Sequence, residues 1–127
     1  MNLVRVVNNQ EHIHIIANNH YTAYKEKFGN LCLGGIENYI ELVIEDIQFP
    51  KRTVWLDLDT NAHVVLDDRY DRRIQMPFMF EVHRMYMPKD LRGKGNMREM
   101  LETLAVLLNA LIFHNDGVKY YGKVRAV

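Results

Sequence analysis

The feature that most constrains this chain is the set of apolar residues between positions 97 and 112: Met97, Met100, Leu101, Leu104, Leu107, Leu108, Leu111 and Ile112. They recur at three- and four-residue intervals, which predicts a helix from about Asn96 to His114. Their face is too broad to be bathed in water and calls for a sheet beneath it. Before the helix, "FMFEVHRMYM" (78–87) reads as a strand of mixed character. After a stop at "NDG", "VKYYGKV" (118–124) reads as a closing strand. Strand, helix and strand in that order make a parallel pair within a mixed sheet.

The preceding residues supply the other strands and two more helices. "NLVRVV" (2–7) is β-branched and opens the sheet. Asn8 and Glu11 stand at capping-box spacing and start a helix striped with Ile13, Ile16, Ala17, His20 and Tyr24, ending near Gly29. His20, on that stripe, reads as a half-buried, hydrogen-bonded histidine. A loop at "NLCLGG" (30–35) leads to a second helix carrying Ile36, Ile40, Val43 and Ile47, which stops before Pro50. "RTVWLDLD" (52–59) and "AHVVLD" (62–67) form a hairpin about a tight turn at "TN". "DRYDRRIQMP" (68–77) is a charged connection to the next strand. The expected fold class is α/β, one domain over 1–127, in the order β-α-α-β-β-β-α-β.

Sixteen basic and sixteen acidic residues cancel, so no global field favours nucleic acid or an anionic membrane. The single cysteine, Cys32, excludes an internal disulfide and fits a reducing compartment. The longest apolar run, "LAVLLNALIF", is about half of what a membrane span requires. The N-terminal residues lack the basic and apolar regions of a signal peptide. A cytoplasmic protein with no membrane partner is expected. Metal binding is not expected, because no two histidines stand at ligand spacing on a helix.

Any electrostatic function must then be local, and "LRGKGN" (91–96) is the place for it. Gly93 and Gly95 sit between a strand and a helix start, flanked by Arg92, Lys94 and Arg98. Glycines admit positive φ and close approach to the backbone. The first amides of a helix lack internal partners and favour anions, and the flanking cations add charge-assisted contacts. The loop reads as a pyrophosphate cradle. A P-loop is excluded, since no Lys-Ser or Lys-Thr pair closes the motif. The dinucleotide fingerprint is excluded because Arg98 occupies its third glycine.

"MYMPKDLRGKGNMREML" resembles the acetyl-CoA signature of the GNAT superfamily of N-acetyltransferases, whose core is Arg/Gln-x-x-Gly-x-Gly/Ala after a strand. Arg92 and Gly95 match it, with Gly93 and Lys94 between them. Met97 stands where the family has Gly or Ala, and Pro88 precedes Arg92 by four residues instead of three. The order of elements resembles the same family, whose next helix and final two strands would lie beyond the fifth strand.

The resemblance implies a GNAT-like acyl-CoA N-acyltransferase fold and an acetyl-CoA-dependent N-acetyltransferase. Its acceptor would be an amine on a small molecule or protein. The pyrophosphate of acetyl-CoA would lie on Arg92, Gly93, Lys94, Gly95, Asn96 and Met97. The backbone of Met85, Tyr86 and Met87 would hold the pantetheine arm. A base is needed to neutralise the acceptor ammonium. The family often uses a Glu on the fourth strand, which implies Glu81; His83, two residues on and on the same face, is the alternative. A catalytically inactive binding or assembly module stays open as a second reading. A third, less favoured, is nucleic-acid binding through Arg84, Lys89, Arg92, Lys94 and Arg98, which neutral net charge opposes. A homodimer, formed at the exposed edge of the last strand, is a further expectation.

Overall fold

Strand-forming runs from both ends of the chain meet in one sheet. The computed structural model describes residues 1–31, 34–68, 79–115 and 119–122. Among them are six strands, lying side by side in chain order. They are β1 (Leu3–Arg5), β2 (Arg52–Asp57), β3 (His63–Asp68), β4 (Met79–Tyr86), β5 (Leu111–His114) and β6 (Lys119–Tyr121). Neighbours are antiparallel except β4 and β5, which are parallel. Helices α1 (Gln10–Phe28) and α2 (Ile36–Gln48) cover one face, and α3 (Asn96–Leu108), which joins β4 to β5, packs on the other.

The alternation of β2 shows how the layers form. Val54 and Leu56 point to α1 and α2, joining Ile13, Ile16, Ala17 and Val43. Trp55, between them, joins Met100, Leu101 and Leu104 of α3. With both faces covered, β2 and β3 are buried almost throughout instead of showing one polar side. Leu101 and Leu104 are fully buried, and removing side chains of that kind from water stabilises a fold by about 1.5–3 kcal/mol each. Among the described residues, no helix is long and apolar enough to cross a membrane.

Two boundaries differ from the sequence expectation, each for a local reason. Asn9, not Asn8, caps α1: its backbone is extended and its Oδ1 accepts the His12 amide at 3.0 Å. The expected helix from Asn96 to His114 stops at Leu108. Asn109 adopts the left-handed conformation (φ 49°, ψ 53°), which asparagine tolerates better than most residues, and its amide returns to Ala105 and Val106. Leu111 and Ile112 are therefore core residues of a strand, and Leu107 is exposed. The strand that pairs in parallel with β4 is thus β5, and the run expected as the fifth strand supplies β6, antiparallel to β5. Cys32 and positions 69–78, most of the charged connection, lie outside the described residues.

Candidate active site

The crossover from β4 to α3 builds a cavity of about 410 Å³. Pro88 leads into a single 3-10 turn, Lys89–Leu91, closed by the Leu91 amide on the Pro88 carbonyl at 2.9 Å. The next four residues reverse the chain, with Gly93 at φ 73° and Gly95 at φ 79°. Both values fall in the region that L side chains rarely adopt. A Cβ added at either glycine would meet nothing within 4 Å, so the backbone there faces open space. Asn96 fastens the loop to itself, its Nδ2 donating to the Leu91 carbonyl at 2.9 Å.

Gly95 is the N-cap of α3 and offers no side chain to cap it. The first intrahelical bond is Glu99 N–H to Gly95 O, at 3.0 Å. The amides of Asn96, Met97 and Arg98 are first-turn donors that a helix cannot satisfy internally. These residues and both glycines line the cavity, and a helix N-terminus with bare backbone is a place that favours an anion.

Of the residues expected to hold the acyl donor, Met85, Tyr86, Met87, Arg92, Gly93, Gly95, Asn96 and Met97 all line this cavity. Lys94 is exposed and does not line it. Arg92 is committed to protein contacts. Its Nε donates to the Met87 carbonyl at 2.7 Å and its Nη2 to Glu26 of α1 at 2.8 Å, while its guanidinium lies 5.3 Å from the centre of the Tyr86 ring. The Tyr86 hydroxyl also reaches Glu26, at 3.3 Å. Burial first, and then the Glu26 charge, raise the Tyr86 pKa, so the phenol stays a donor. Ala23 brings α1 to the cavity wall, and Glu26 of the same helix holds Tyr86 and Arg92 there; no feature of the sequence singled out either. The Glu26 contacts span 60 and 66 residues of sequence, and no local motif announces them.

β4 and β5 part company where the site begins. Their register pairs are Met79–Leu111, Phe80–Ile112 and Glu81–Phe113, and none follows among the described residues. Val82–Tyr86 therefore present a backbone edge toward the gap. A second cavity, about 330 Å³ and mostly polar, lies at the split, and Met85 lines both cavities. Glu81 and His83 line it, together with Asp67, Arg84, His114 and Asn115.

The strand is not regular there. Val65 pairs with Arg84 but Leu66 with Val82, so His83 is an extra residue on β4, a β-bulge. The bulge sets His83 and Arg84 beside the carboxylates of neighbouring elements. His83 Nδ1 lies 3.2 Å from Asp67 Oδ2, and Arg84 donates to the buried Asp46 of α2 at 2.9 Å. Arg52 links the two carboxylates, at 2.7 Å to Asp67 and 2.9 Å to Asp46. Its pKa is raised: burial opposes the shift, but the bonds to Asp67 and Asp46 outweigh it.

The expected basic patch is not assembled. Arg84 turns to Asp46, Arg92 to Glu26 and Arg98 to Glu102, so three of its five cations are neutralised within the fold. Among the described residues, no three His, Cys, Asp or Glu side chains are grouped to hold a metal ion. His20 packs edge-on against His63 with ring centres 4.9 Å apart, and the Nε2 atoms of both are buried without a protein partner.

No protein-family model matches the chain, and no curated protein does so by sequence. Solved structures do match by shape. One is an acetyltransferase from Thermus thermophilus, with a TM-score of 0.62 at 14% identity, covering 90% of this chain and 75% of that one. Another is described as a GNAT family acetyltransferase from Staphylococcus aureus subsp. aureus, with a TM-score of 0.56 at 16% identity, covering 87% and 95%. A third is an aminoglycoside 6'-N-acetyltransferase in complex with coenzyme A, with a TM-score of 0.58 at 15% identity, covering 90% and 61%. At these identities the likeness is one of fold, and that fold is the GNAT acetyltransferase fold.

Proposed function

We propose that this chain, which carries the GNAT acetyltransferase fold, binds acetyl-CoA in the larger cavity and transfers the acetyl group to an amine presented in the smaller one. The observation that carries this reading is one convergence: the uncapped start of α3 and the open backbone at Gly93 and Gly95 border the larger cavity, the β4–β5 split borders the smaller, and Met85 of β4 lines both. The cavity walls fit the donor's chemistry, with amides for a pyrophosphate at one end and the β4 edge for an amide-bearing arm along the side.

In this reading the amides of 93–98 bind the phosphates, and Arg92 braces the loop against α1. Backbone donors of Met85–Met87 orient the arm, and one of them faces the thioester carbonyl as an oxyanion donor. Glu81 or His83 takes the proton that an acceptor ammonium must lose before its nitrogen can attack. Acetyl-CoA supplies the activated acyl carbon when bound. The acceptor is a primary amine, and a sensible first panel holds a linear diamine, an aminoglycoside and an alanine-N-terminal peptide. The edge of β6, unpaired among the described residues, supports a dimer as a further part of the proposal, which sedimentation at high concentration tests.

Calorimetric titration with acetyl-CoA, with free CoA and ATP as controls, tests the reading. Selective binding of acetyl-CoA and CoA is expected, and Gly95→Val should remove it. ATP binding equally well, or no binding of any of the three, would refute it. A second reading, an inactive binding module, draws on Met97, whose side chain occupies cavity wall that the family's pattern leaves bare. It predicts CoA binding without acetylation of any amine in the panel.

A further inference from the structure

The polar cavity holds two candidate bases, and the bulge on β4 distinguishes them. His83 has no cross-strand partner, because the register passes from Arg84 directly to Val82. Its ring is free of the β3–β4 ladder and meets Asp67 instead, Nδ1 to Oδ2 at 3.2 Å. Asp67 is itself held. Its other oxygen, Oδ1, accepts from Arg52 Nε at 2.7 Å, and Arg52 is anchored at 2.9 Å by Asp46, whose side chain is only 3% exposed. The Asp67 side chain is 15% exposed and that of His83 31%. The carboxylate thus sits behind the imidazole, and the imidazole stands nearer the solvent.

A carboxylate that accepts from Nδ1–H fixes the neutral imidazole in one tautomer, with Nε2 bearing the lone pair. At 3.2 Å the pair is a charge contact; a small turn of the ring that brings Nδ1–H onto Oδ2 makes it a base with an orienting acid, in which the acid sets the tautomer and never takes the proton itself.

We propose that Asp67 is a positioning residue for His83, and that His83 Nε2, rather than Glu81, is the base for the acceptor amine. This rests on the acetyltransferase reading above. His83 Nε2 accepts one proton of the acceptor ammonium. The freed nitrogen lone pair forms the C–N bond at the thioester carbonyl, and the C–S bond breaks. The second proton that the nitrogen sheds goes to the departing thiolate, and the imidazolium returns the first to solvent. Arg52 and Asp46 act one step further out by fixing the Asp67 carboxylate in its rotamer.

Nitrogen-15 NMR of the histidine rings tests the tautomer in the unliganded protein and requires no turnover. The wild-type chain at neutral pH should show His83 protonated at Nδ1, and Asp67→Ala should release it to the Nε2–H form. Kinetics with acetyl-CoA and the amine panel supply the second arm. Asp67→Ala and His83→Gln should each lower kcat by roughly 100-fold, the low end of what a positioned base contributes. The acetyl-CoA affinity of both variants by calorimetry should be unchanged, and the double variant should be no slower than His83→Gln. Asp67→Asn, which keeps an acceptor for Arg52, guards against simple unfolding and should fall between wild type and Asp67→Ala.

His83 found with Nε2–H in the wild type would overturn the proposal. So would additive losses in the double variant, or a drop in acetyl-CoA affinity equal to the drop in kcat. Failure of the acetyltransferase reading looks different: no CoA binding and no turnover in the wild type, with the Asp67-dependent tautomer intact.

Discussion

Lowering the pH from 7 to 5 should remove about 4 kcal/mol of stability, through the two histidines packed between α1 and β3. His63 is 1% exposed, and its pKa is pushed down to about 3, chiefly by burial and then by the charges of His20 and Arg84. His20 is pushed down to about 4, again by burial first and then Arg84, against a smaller opposing pull from Asp46. Both folded-state values lie below the free imidazole value of 6.5. The unfolded chain therefore binds more protons below that pH, and stability is complete above it and declines as pH falls toward 4. Over about one and a half units, at about 1.4 kcal/mol per unit for each group, two groups give about 4 kcal/mol. For a urea slope near 2 kcal/mol/M the unfolding midpoint should drop by about 2 M.

His20→Gln removes one titrating group, so its own loss between pH 7 and 5 should be about half as large. The other histidines are common to both proteins and cancel in the difference. Urea melts of the two proteins at pH 7, 6 and 5 measure it. Parallel pH dependences, or a wild-type midpoint that stays level, would refute the reasoning.

Asp46→Ala should cost about 3–5 kcal/mol, because it leaves the guanidiniums of Arg52 and Arg84 without the carboxylate they share; urea melts at pH 7 measure it. Gly122→Ala should destabilise by roughly 1–3 kcal/mol, since Gly122 has φ 96° and an added Cβ would come within 2.5 Å of the Ala110 carbonyl oxygen; thermal melts should show it. Gly95→Ala, at φ 79° but facing open space, should cost only about 1–2 kcal/mol, from backbone strain. Its effect on acetyl-CoA affinity should exceed its effect on the melting midpoint, which calorimetry and melting on one preparation compare.

The order of elements through the start of α3 was legible because each segment carries its own period: two in β2, three to four in α1 and α2. The end of α3 was not. Leu111 and Ile112 continue the helical spacing of Leu104 and Leu108 by coincidence of composition, and only the left-handed turn at Asn109 separates helix from strand. Periodicity cannot see one residue's φ. The cavity-lining set Met85–Met87 and Arg92–Met97 was legible, Lys94 apart, because a glycine loop before a helix is a local motif. Glu26 and Asp67 were not, because their roles arise from distant partners, Arg92 and His83. The bulge was hidden as well. Glu81 and His83 look like ordinary period-two neighbours until the β3 register exposes the extra residue.

The full commitment of Arg92 to Met87, Glu26 and Tyr86 bears on how such a site survives changes of sequence. If that guanidinium is a fastener, the work of meeting a phosphate passes to main-chain amides, which every residue but proline carries. A cradle made of main chain demands a path through space and only a few glycines along it. The side chains around it can drift widely while the path is kept. That is a physical route by which two chains alike at 14% of positions can fold to the same outline, and by which comparison of letters can pass over what comparison of shapes finds.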